Sequence, residues 1–253
     1  MAILFLLNGM VKVFLSLHDK HSTPLRLRAI GRSSQFSTTK RISEKRGRML
    51  KFIASALNRN DETPNIELAE KLVNTQDANG ISQIVTGLNM DKATANDCIK
   101  VLYEIGERDP QLILPYASSF LDLLKSKNNR LVWGAMTALG QIASLCPDTI
   151  FARFDDVYAA YEKGSVITVD HSMSVLAALC RASQSNEQKI LPLLIHHLAN
   201  CRTKEIPQHF ERIAICITNN NANQFRCVIQ QRYGELSKSQ QARVNKVLKS
   251  INN

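Results

Sequence analysis

The chain has 253 residues and a net charge of +10, and 44% of its residues are hydrophobic. A chain of this length and composition can bury a sizeable core. Leu, Ile and Ala are frequent, aromatic residues are few, and polar and apolar residues do not alternate over any long stretch. These features favour an all-α fold and argue against a β-protein.

The positive charge lies at the two ends of the chain. Residues 1–48 hold ten Lys or Arg against two acids, and residues 223–253 hold six against one. Residues 49–222 therefore carry a net charge of −3. The positive net charge of the chain suggests a polyanionic partner. Because residues 49–222 are mildly acidic, such a partner is not expected to bind along this segment.

The folded domain is predicted to span residues 49–253, because Met49 begins an amphipathic run at a break in composition. Residues 1–17 are apolar, but they are interrupted by polar residues and too short for a membrane span of about 20 residues. Residues 20–48 are rich in Arg, Ser and Thr and poor in acids, as a mitochondrial transit peptide is. Three interpretations of residues 1–48 are open: a disordered or normally untranslated extension, a targeting peptide, and a nucleic-acid-binding arm. The first interpretation implies a cytoplasmic protein, and the second implies a mitochondrial protein.

Eleven helices are predicted in chain order, with short polar breaks between them. Pro115 and Pro192 are expected in the first turns of their helices, where a missing amide proton costs little. The central helix has clear limits, since Asn128 or Asn129 can cap its start and Pro147 forbids its continuation. The predicted helices span 64–75, 77–88, 92–108, 111–126, 129–146, 149–162, 166–182, 186–200, 206–218, 223–234 and 238–251.

Apolar residues recur along this series with a step of 37 residues. Each step places a side chain of similar size at the same phase of a helix. A period of this length with two helices per unit is typical of a helical solenoid, in which stacked neighbours bury a continuous core. The two series are Leu102, Leu139, Leu176 and Ile213, and Ile105, Ile142, Leu179 and Cys216.

The text LPYASSFLDLLKSKN, residues 114–128, followed by RLVWGAMTALGQIA, residues 130–143, resembles the HEAT-repeat family. The second helix of that repeat typically has Val-Arg followed by Ala-rich text with Leu-Gly. Here Lys127 and Asn128 stand where the family usually has an aspartate. The resemblance implies a right-handed superhelical α-α solenoid of about five helix pairs over residues 76–252. It also implies that the second helices form the concave face.

The chain holds none of the strong catalytic or cofactor motifs. It has no Gly-rich phosphate loop, no His-Glu-x-x-His pair, no Gly-x-Ser-x-Gly elbow and no Cys-x-x-Cys. Its six widely spaced cysteines fit buried thiols in a reducing compartment. His197 and Cys201 are four residues apart, with His209 nearby, but two ligands without a second pair predict no metal site. The expectation is therefore a protein without cofactor or metal that is not an enzyme.

Trp133 is the only tryptophan, and it lies on the side of its helix opposite the apolar stripe. The repeat aligns it with Asp170 in the next unit, so the ring is expected beside that carboxylate. Some solenoids of this kind are DNA glycosylases that hold an aromatic residue and an aspartate in such a groove. A nucleic-acid-binding or base-excising solenoid is the alternative function. The simpler interpretation is that Trp133 packs over a neighbouring helix.

The predicted concave face mixes acidic, basic and apolar side chains and has no continuous stripe of Lys and Arg. A surface that neutralises many phosphates needs such a stripe, whereas a mixed face suits a protein or peptide partner. The prediction is a non-enzymatic scaffold or adaptor that binds a protein through this face. No oligomeric state is predicted. The predicted binding residues are Lys100, Glu104, Arg130, Trp133, Thr137, Gln141, Asp170, Ser174 and Arg181.

Overall fold

The computed structural model describes residues 48–251, and this range contains twelve α-helices and no β-strand. The expectations for residues 1–47 lie outside the described residues. In chain order, the helices are α1 (Thr63–Asn74), α2 (Ala78–Gly87), α3 (Lys92–Arg108), α4 (Ala117–Leu123), α5 (Asn129–Ile142), α6 (Pro147–Phe151), α7 (Phe154–Lys163), α8 (Val166–Ala182), α9 (Gln184–Asn200), α10 (Ile206–Ile213), α11 (Ala222–Arg232) and α12 (Lys238–Ser250).

The helices form a repeat of paired elements. Six of them, α1, α3, α5, α8, α10 and α12, pack each on the next and make what we call the second-helix layer. The helices α2, α4, α7 and α9 pack against this layer from one side, and α11 packs on α9. Five pairs run from α2 to α12, and α1 precedes them. The all-α solenoid predicted from the 37-residue step is confirmed.

The repeated apolar positions line a single core. Leu102, Leu139, Leu176 and Ile213 are all at most 1% exposed and belong to one continuous cluster of buried side chains. Burying one such side chain stabilises the fold by about 1.5–3 kcal/mol. Because each helix pair is too small to bury its own stripe, this shared core holds the units together.

Polar side chains fix where the helices of the second-helix layer begin. The side chain of Asp91 caps α3 by accepting hydrogen bonds from the amides of Ala93 and Thr94. Asn128 caps α5 in the same way, with its Oδ1 3.1 Å from the nitrogen of Arg130. The Nδ2 of Asn128 also donates to Oδ1 of Asn96, 2.8 Å away in the preceding unit. Asn128 thus supplies both a cap and a contact between units.

The structure differs from the predicted helices at several places, and the helices predicted at 129–146 and 206–218 end earlier, at Ile142 and Ile213. The predicted helix 111–126 is two 3₁₀ turns followed by the short helix α4, and the predicted helix 149–162 is divided into α6 and α7. Arg153 forms the break, where it binds Asp156 of α7 and Asp122 of α4 at 2.5 and 3.1 Å. Pro192 lies in the interior of α9, which Ser183 caps and Gln184 begins, so the expectation that this proline lies in the first turn is wrong.

Among residues 48–251, no helix is both long enough and apolar enough to cross a membrane.

Candidate functional site

A depression of about 500 Å³ lies on the face of the second-helix layer. It extends over four consecutive second helices, α3, α5, α8 and α10. Four of the nine predicted binding residues line it: Trp133, Thr137, Gln141 and Ser174. The other lining residues are Tyr103, Glu107, Gly140, His171 and Arg212.

Two aromatic rings form one wall of the depression. The ring of Trp133 lies 5.7 Å from that of Tyr103 in the preceding unit, centroid to centroid. The guanidinium of Arg130 lies 5.3 Å from the centre of the indole, within the range of a cation–π contact. Trp133 is only half-buried, so part of its ring remains available to a ligand.

Small side chains give the depression its depth. Gly140 has no side chain, and Thr137 and Ser174 have short ones. A Cβ added at Gly140 would come within 3.4 Å of Cβ of Ser174, which shows how closely α5 approaches α8 there. The hydroxyl of Thr137 donates to the carbonyl of Trp133 at 2.9 Å and so is satisfied inside its own helix. Gly140, Thr137 and Ser174 thus form a floor of small residues, and few of their polar atoms compete with a ligand for hydrogen bonds.

Two polar side chains of the depression keep unused hydrogen-bonding atoms. Nε2 of Gln141 donates to the carbonyl of Tyr103 at 3.0 Å, while its buried Oε1 has no partner. The guanidinium of Arg212 donates to the hydroxyl of Ser174 at 2.8 Å, and its buried Nε also has no partner. Burial lowers the pKa of Arg212. Oε1 of Gln141 faces Gly106 between α3 and α5, and leaving such buried atoms unpaired costs free energy.

His171 lies beside Arg212 in the same depression. Burial, with a smaller effect of the Arg212 charge, lowers the pKa of His171 to about 4. The ring is therefore neutral at pH 7, and Arg212 supplies the positive charge on this side. Glu107, exposed at the edge formed by α3, supplies a negative one. The depression thus offers an aromatic wall, a cation and a carboxylate to a ligand.

Three other predicted residues, Lys100, Glu104 and Arg130, belong to an ion-pair cluster beside the depression. Nζ of Lys100 lies 2.7 Å from Glu104 and 3.0 Å from Glu62. Arg130 also binds Glu62, and Arg108 binds Glu104 at 2.7 Å. Burial raises the pKa of Glu104, but its hydrogen bonds with Lys100 and Arg108 lower it overall. Each of these charges has an oppositely charged partner within the chain, although the buried Nε of Arg130 has no hydrogen-bond partner, and the cluster links the start of α1 to α3 and α5.

Asp170 points to the following unit and not to the tryptophan. Its Oδ1 lies 2.6 Å from Nε2 of His209, and its Oδ2 accepts a hydrogen bond from Gln208 at 3.2 Å. Trp133 packs instead on the preceding unit, so the expected pairing of this ring with the Asp170 carboxylate is wrong. Arg181 is exposed at the end of α8, outside the residues that line the depression.

The bond from Asp170 continues into a chain of side chains between the two sets of helices. Nδ1 of His209 lies 2.8 Å from Nε2 of His197, and Nδ1 of His197 lies 2.9 Å from the hydroxyl of Tyr161. Both histidines are buried. Burial, followed by the effect of His209, lowers the pKa of His197 to about 4, so its ring is neutral at pH 7.

The predicted binding residues omit five of the lining residues. Glu107 was on the predicted face but outside that set, and the other four were missed because the prediction took about one residue per turn along each helix. Tyr103 precedes the predicted residue Glu104, and His171 directly follows Asp170. A helix face at least 100° wide takes in such adjacent positions as well. Reading two neighbouring columns would have found both of these residues.

Comparison with solved structures finds designed repeat proteins of the same fold. A designed armadillo repeat protein in complex with the peptide (KR)4 has a TM-score of 0.58 and 13% identity, over 87% of this chain and 96% of the other. A computationally designed armadillo repeat protein for modular peptide recognition has a TM-score of 0.57 and 12% identity over the same shares. An engineered protein from a structural genomics consortium has a TM-score of 0.55 and 16% identity, over 82% and 96%. The fold is thus an armadillo- or HEAT-like helical solenoid. No protein-family model and no curated protein matches the chain.

Proposed function

We propose that this protein is a non-enzymatic repeat scaffold that binds an extended segment of a partner protein along the second-helix face. The observation that carries the proposal is the depression itself, which crosses α3, α5, α8 and α10. A ligand that fills it must contact successive repeats. An extended chain suits this requirement because two to three of its residues, at about 3.3 Å each, span the distance of about 8–10 Å between neighbouring packed helices.

The lining groups favour a segment of mixed character. An apolar or aromatic side chain of the ligand would pack against Trp133 and Tyr103. The guanidinium of Arg212 would donate to a carbonyl or carboxylate of the ligand. The aromatic rings and the Arg212 charge together match a segment that carries both apolar and polar groups.

The fold comparison supports a peptide as the ligand class. One of the similar proteins was solved with the peptide (KR)4, and another was designed for peptide recognition. At 12–13% identity, these likenesses concern the fold alone. The side chains of the present depression carry both charges, and they favour a segment of both charges.

A nucleic-acid ligand has less support from this face. Three of its cations, Lys100, Arg130 and Arg243, are bonded to carboxylates of the chain itself. Phosphate binding depends on cations that are available to replace counterions.

We also propose a cytoplasmic location, since all six cysteines are free thiols and such thiols fit a reducing compartment.

A peptide library displayed on phage and selected on the immobilised protein tests the proposal. Ser174→Arg fills the floor of the depression and should weaken selected peptides at least tenfold. The matched control is Ser118→Arg, the same change at an exposed position of α4 outside the depression. Circular dichroism confirms that both variants fold. Selected peptides that bind both variants equally well would contradict the proposed face, and so would a library that yields no binding sequence.

A further inference from the structure

Three side chains with metal-binding atoms meet where α9 ends and α10 begins. His197 lies in the last turn of α9, Cys201 follows that helix as its C-cap, and His209 lies in α10. One nitrogen of each histidine and the sulfur of Cys201 all lie within 4.8 Å of one another. His197 is 7% exposed and His209 is fully buried, while Cys201 is partly exposed and gives access from solvent.

The hydrogen bonds around the two histidines orient them towards a common point. An ionised Asp170 can only accept, so Nε2 of His209 donates to it and, in a neutral ring, Nδ1 of His209 carries a lone pair. That lone pair faces Nε2 of His197, 2.8 Å away. The outer nitrogen of His197 is held by the hydroxyl of Tyr161. A histidine that donates its second N–H to a carboxylate is a common arrangement of a metal ligand, and His209 has this arrangement with Asp170.

The separations require only a small adjustment to hold an ion. Histidine nitrogens at about 2.0–2.1 Å from a tetrahedral Zn²⁺ lie about 3.3 Å apart, and a nitrogen and a thiolate sulfur about 3.6 Å. The two rings would therefore separate by about half an ångström. The sulfur of Cys201 would approach by at most about 1.2 Å, which rotation about its Cα–Cβ bond can supply.

Charge and protons balance in such a site. The Cys201 thiolate and the Asp170 carboxylate together offset the two positive charges of the ion, and the two imidazoles are neutral ligands. Arg232, which donates to the carbonyl of Cys201 at 2.6 Å, and Glu205 add one charge of each sign near the thiolate.

A cysteine without a metal is mainly a thiol at pH 7.5, whereas it binds a metal as the thiolate. On binding, Cys201 loses its proton to solvent, and the proton on Nε2 of His197 moves to Nδ1, which then donates to Tyr161. One proton is released for each ion.

We propose that His197, Cys201 and His209 form a binding site for a thiophilic divalent cation such as Zn²⁺. A water molecule completes the tetrahedron on the side of Cys201. Asp170 and Tyr161 act as positioning residues, since each bonds the outer nitrogen of one histidine ligand. The site is separate from the peptide-binding depression, and the proposal does not depend on that function.

Titration of the chelator-treated full chain with Co²⁺ under reducing conditions tests the site. A tetrahedral site with one thiolate gives a sulfur-to-cobalt charge-transfer band in the near ultraviolet and intense visible bands, and Zn²⁺ abolishes both by displacement. Calorimetry of Zn²⁺ binding at pH 7.5, in buffers of different ionisation enthalpy, should show the release of one proton per ion.

Variants assign the ligands. Cys201→Ser should remove the charge-transfer band, and His197→Gln should weaken Co²⁺ binding at least tenfold. The controls are Cys227→Ser and His196→Gln, which change an exposed thiol and the exposed histidine beside the proposed ligand. Both controls should bind as the unaltered chain does. Asp170→Asn should keep the band but bind Co²⁺ about 10–100-fold more weakly.

Three results would overturn the proposal. The first is the absence of a charge-transfer band in the unaltered chain at saturating Co²⁺. The second is a band that survives in Cys201→Ser, which would assign the ion to other thiols. The third is equal affinity of His197→Gln and His196→Gln for Co²⁺. Circular dichroism of each variant, and the proton count on the unaltered chain, keep the test independent of misfolding.

Discussion

Replacement of Leu139 by Ala tests the shared core of the repeat. Leu139 is fully buried in α5, between α3 and α8, and belongs to the same cluster as its repeat equivalents Leu102 and Leu176. The substitution removes apolar contacts and leaves a cavity, at a cost of about 2–5 kcal/mol. Because helices pack on α5 from both sides, the cavity cannot close easily, and a cost of about 3 kcal/mol or more is expected.

Differential scanning calorimetry measures the effect. In a domain of this size, each kcal/mol shifts the midpoint of thermal unfolding by about 2–4 °C, so a decrease of about 6–12 °C is expected. Leu145→Ala is the control, since Leu145 follows the same helix but is 41% exposed. Its midpoint should change by no more than about 2 °C. Equal shifts for the two variants would refute the assignment of Leu139 to a core shared between repeats.

Two further predictions concern pH and helix packing. The pKa of His197 is lowered from 6.5 to about 4, so the unfolded chain binds more protons than the folded chain between these pH values. The metal-free protein therefore loses about 3 kcal/mol of stability as the pH falls from 6.5 to 4. His171 acts in the same direction. Urea midpoints measured from pH 7.5 to 4.5 should therefore fall, and a flat profile would contradict the burial of these rings. Gly134→Ala would place a Cβ 2.6 Å from a side-chain carbon of Ile99, so we expect a loss of about 1–3 kcal/mol in urea unfolding. Gly234→Ala meets no atom within 4 Å and should leave stability nearly unchanged, so an equal loss there would rule out the close contact as the cause.

The repeat and its core could be predicted from the sequence because the spacing of apolar residues along a helix shows which side of that helix is buried. The 37-residue step from Leu102 to Leu139 and Leu176 identified side chains that the structure buries together. Asn128 was predictable as a cap, since capping involves only the next few residues. Its bond to Asn96 in the preceding unit depends on how two units stack, which no local pattern records.

The candidate sites were less predictable, because they depend on which neighbour each side chain faces. Periodicity placed Trp133 on the face that carries the depression, but it gave the direction of neither the Trp133 nor the Asp170 side chain. Trp133 turns back to Tyr103 and Asp170 turns forward to His209. The three-residue cluster that includes Cys201 likewise forms only after a turn brings α10 back against α9.

The fluorescence of Trp133 tests the proposed function most directly. Trp133 is the only tryptophan of the chain and forms one wall of the depression, so its emission reports on that site alone. A selected peptide should shift the emission and saturate it at the dissociation constant that calorimetry gives for the same peptide. A peptide that binds by calorimetry but leaves the emission of Trp133 unchanged would show that binding occurs elsewhere and would contradict the proposal.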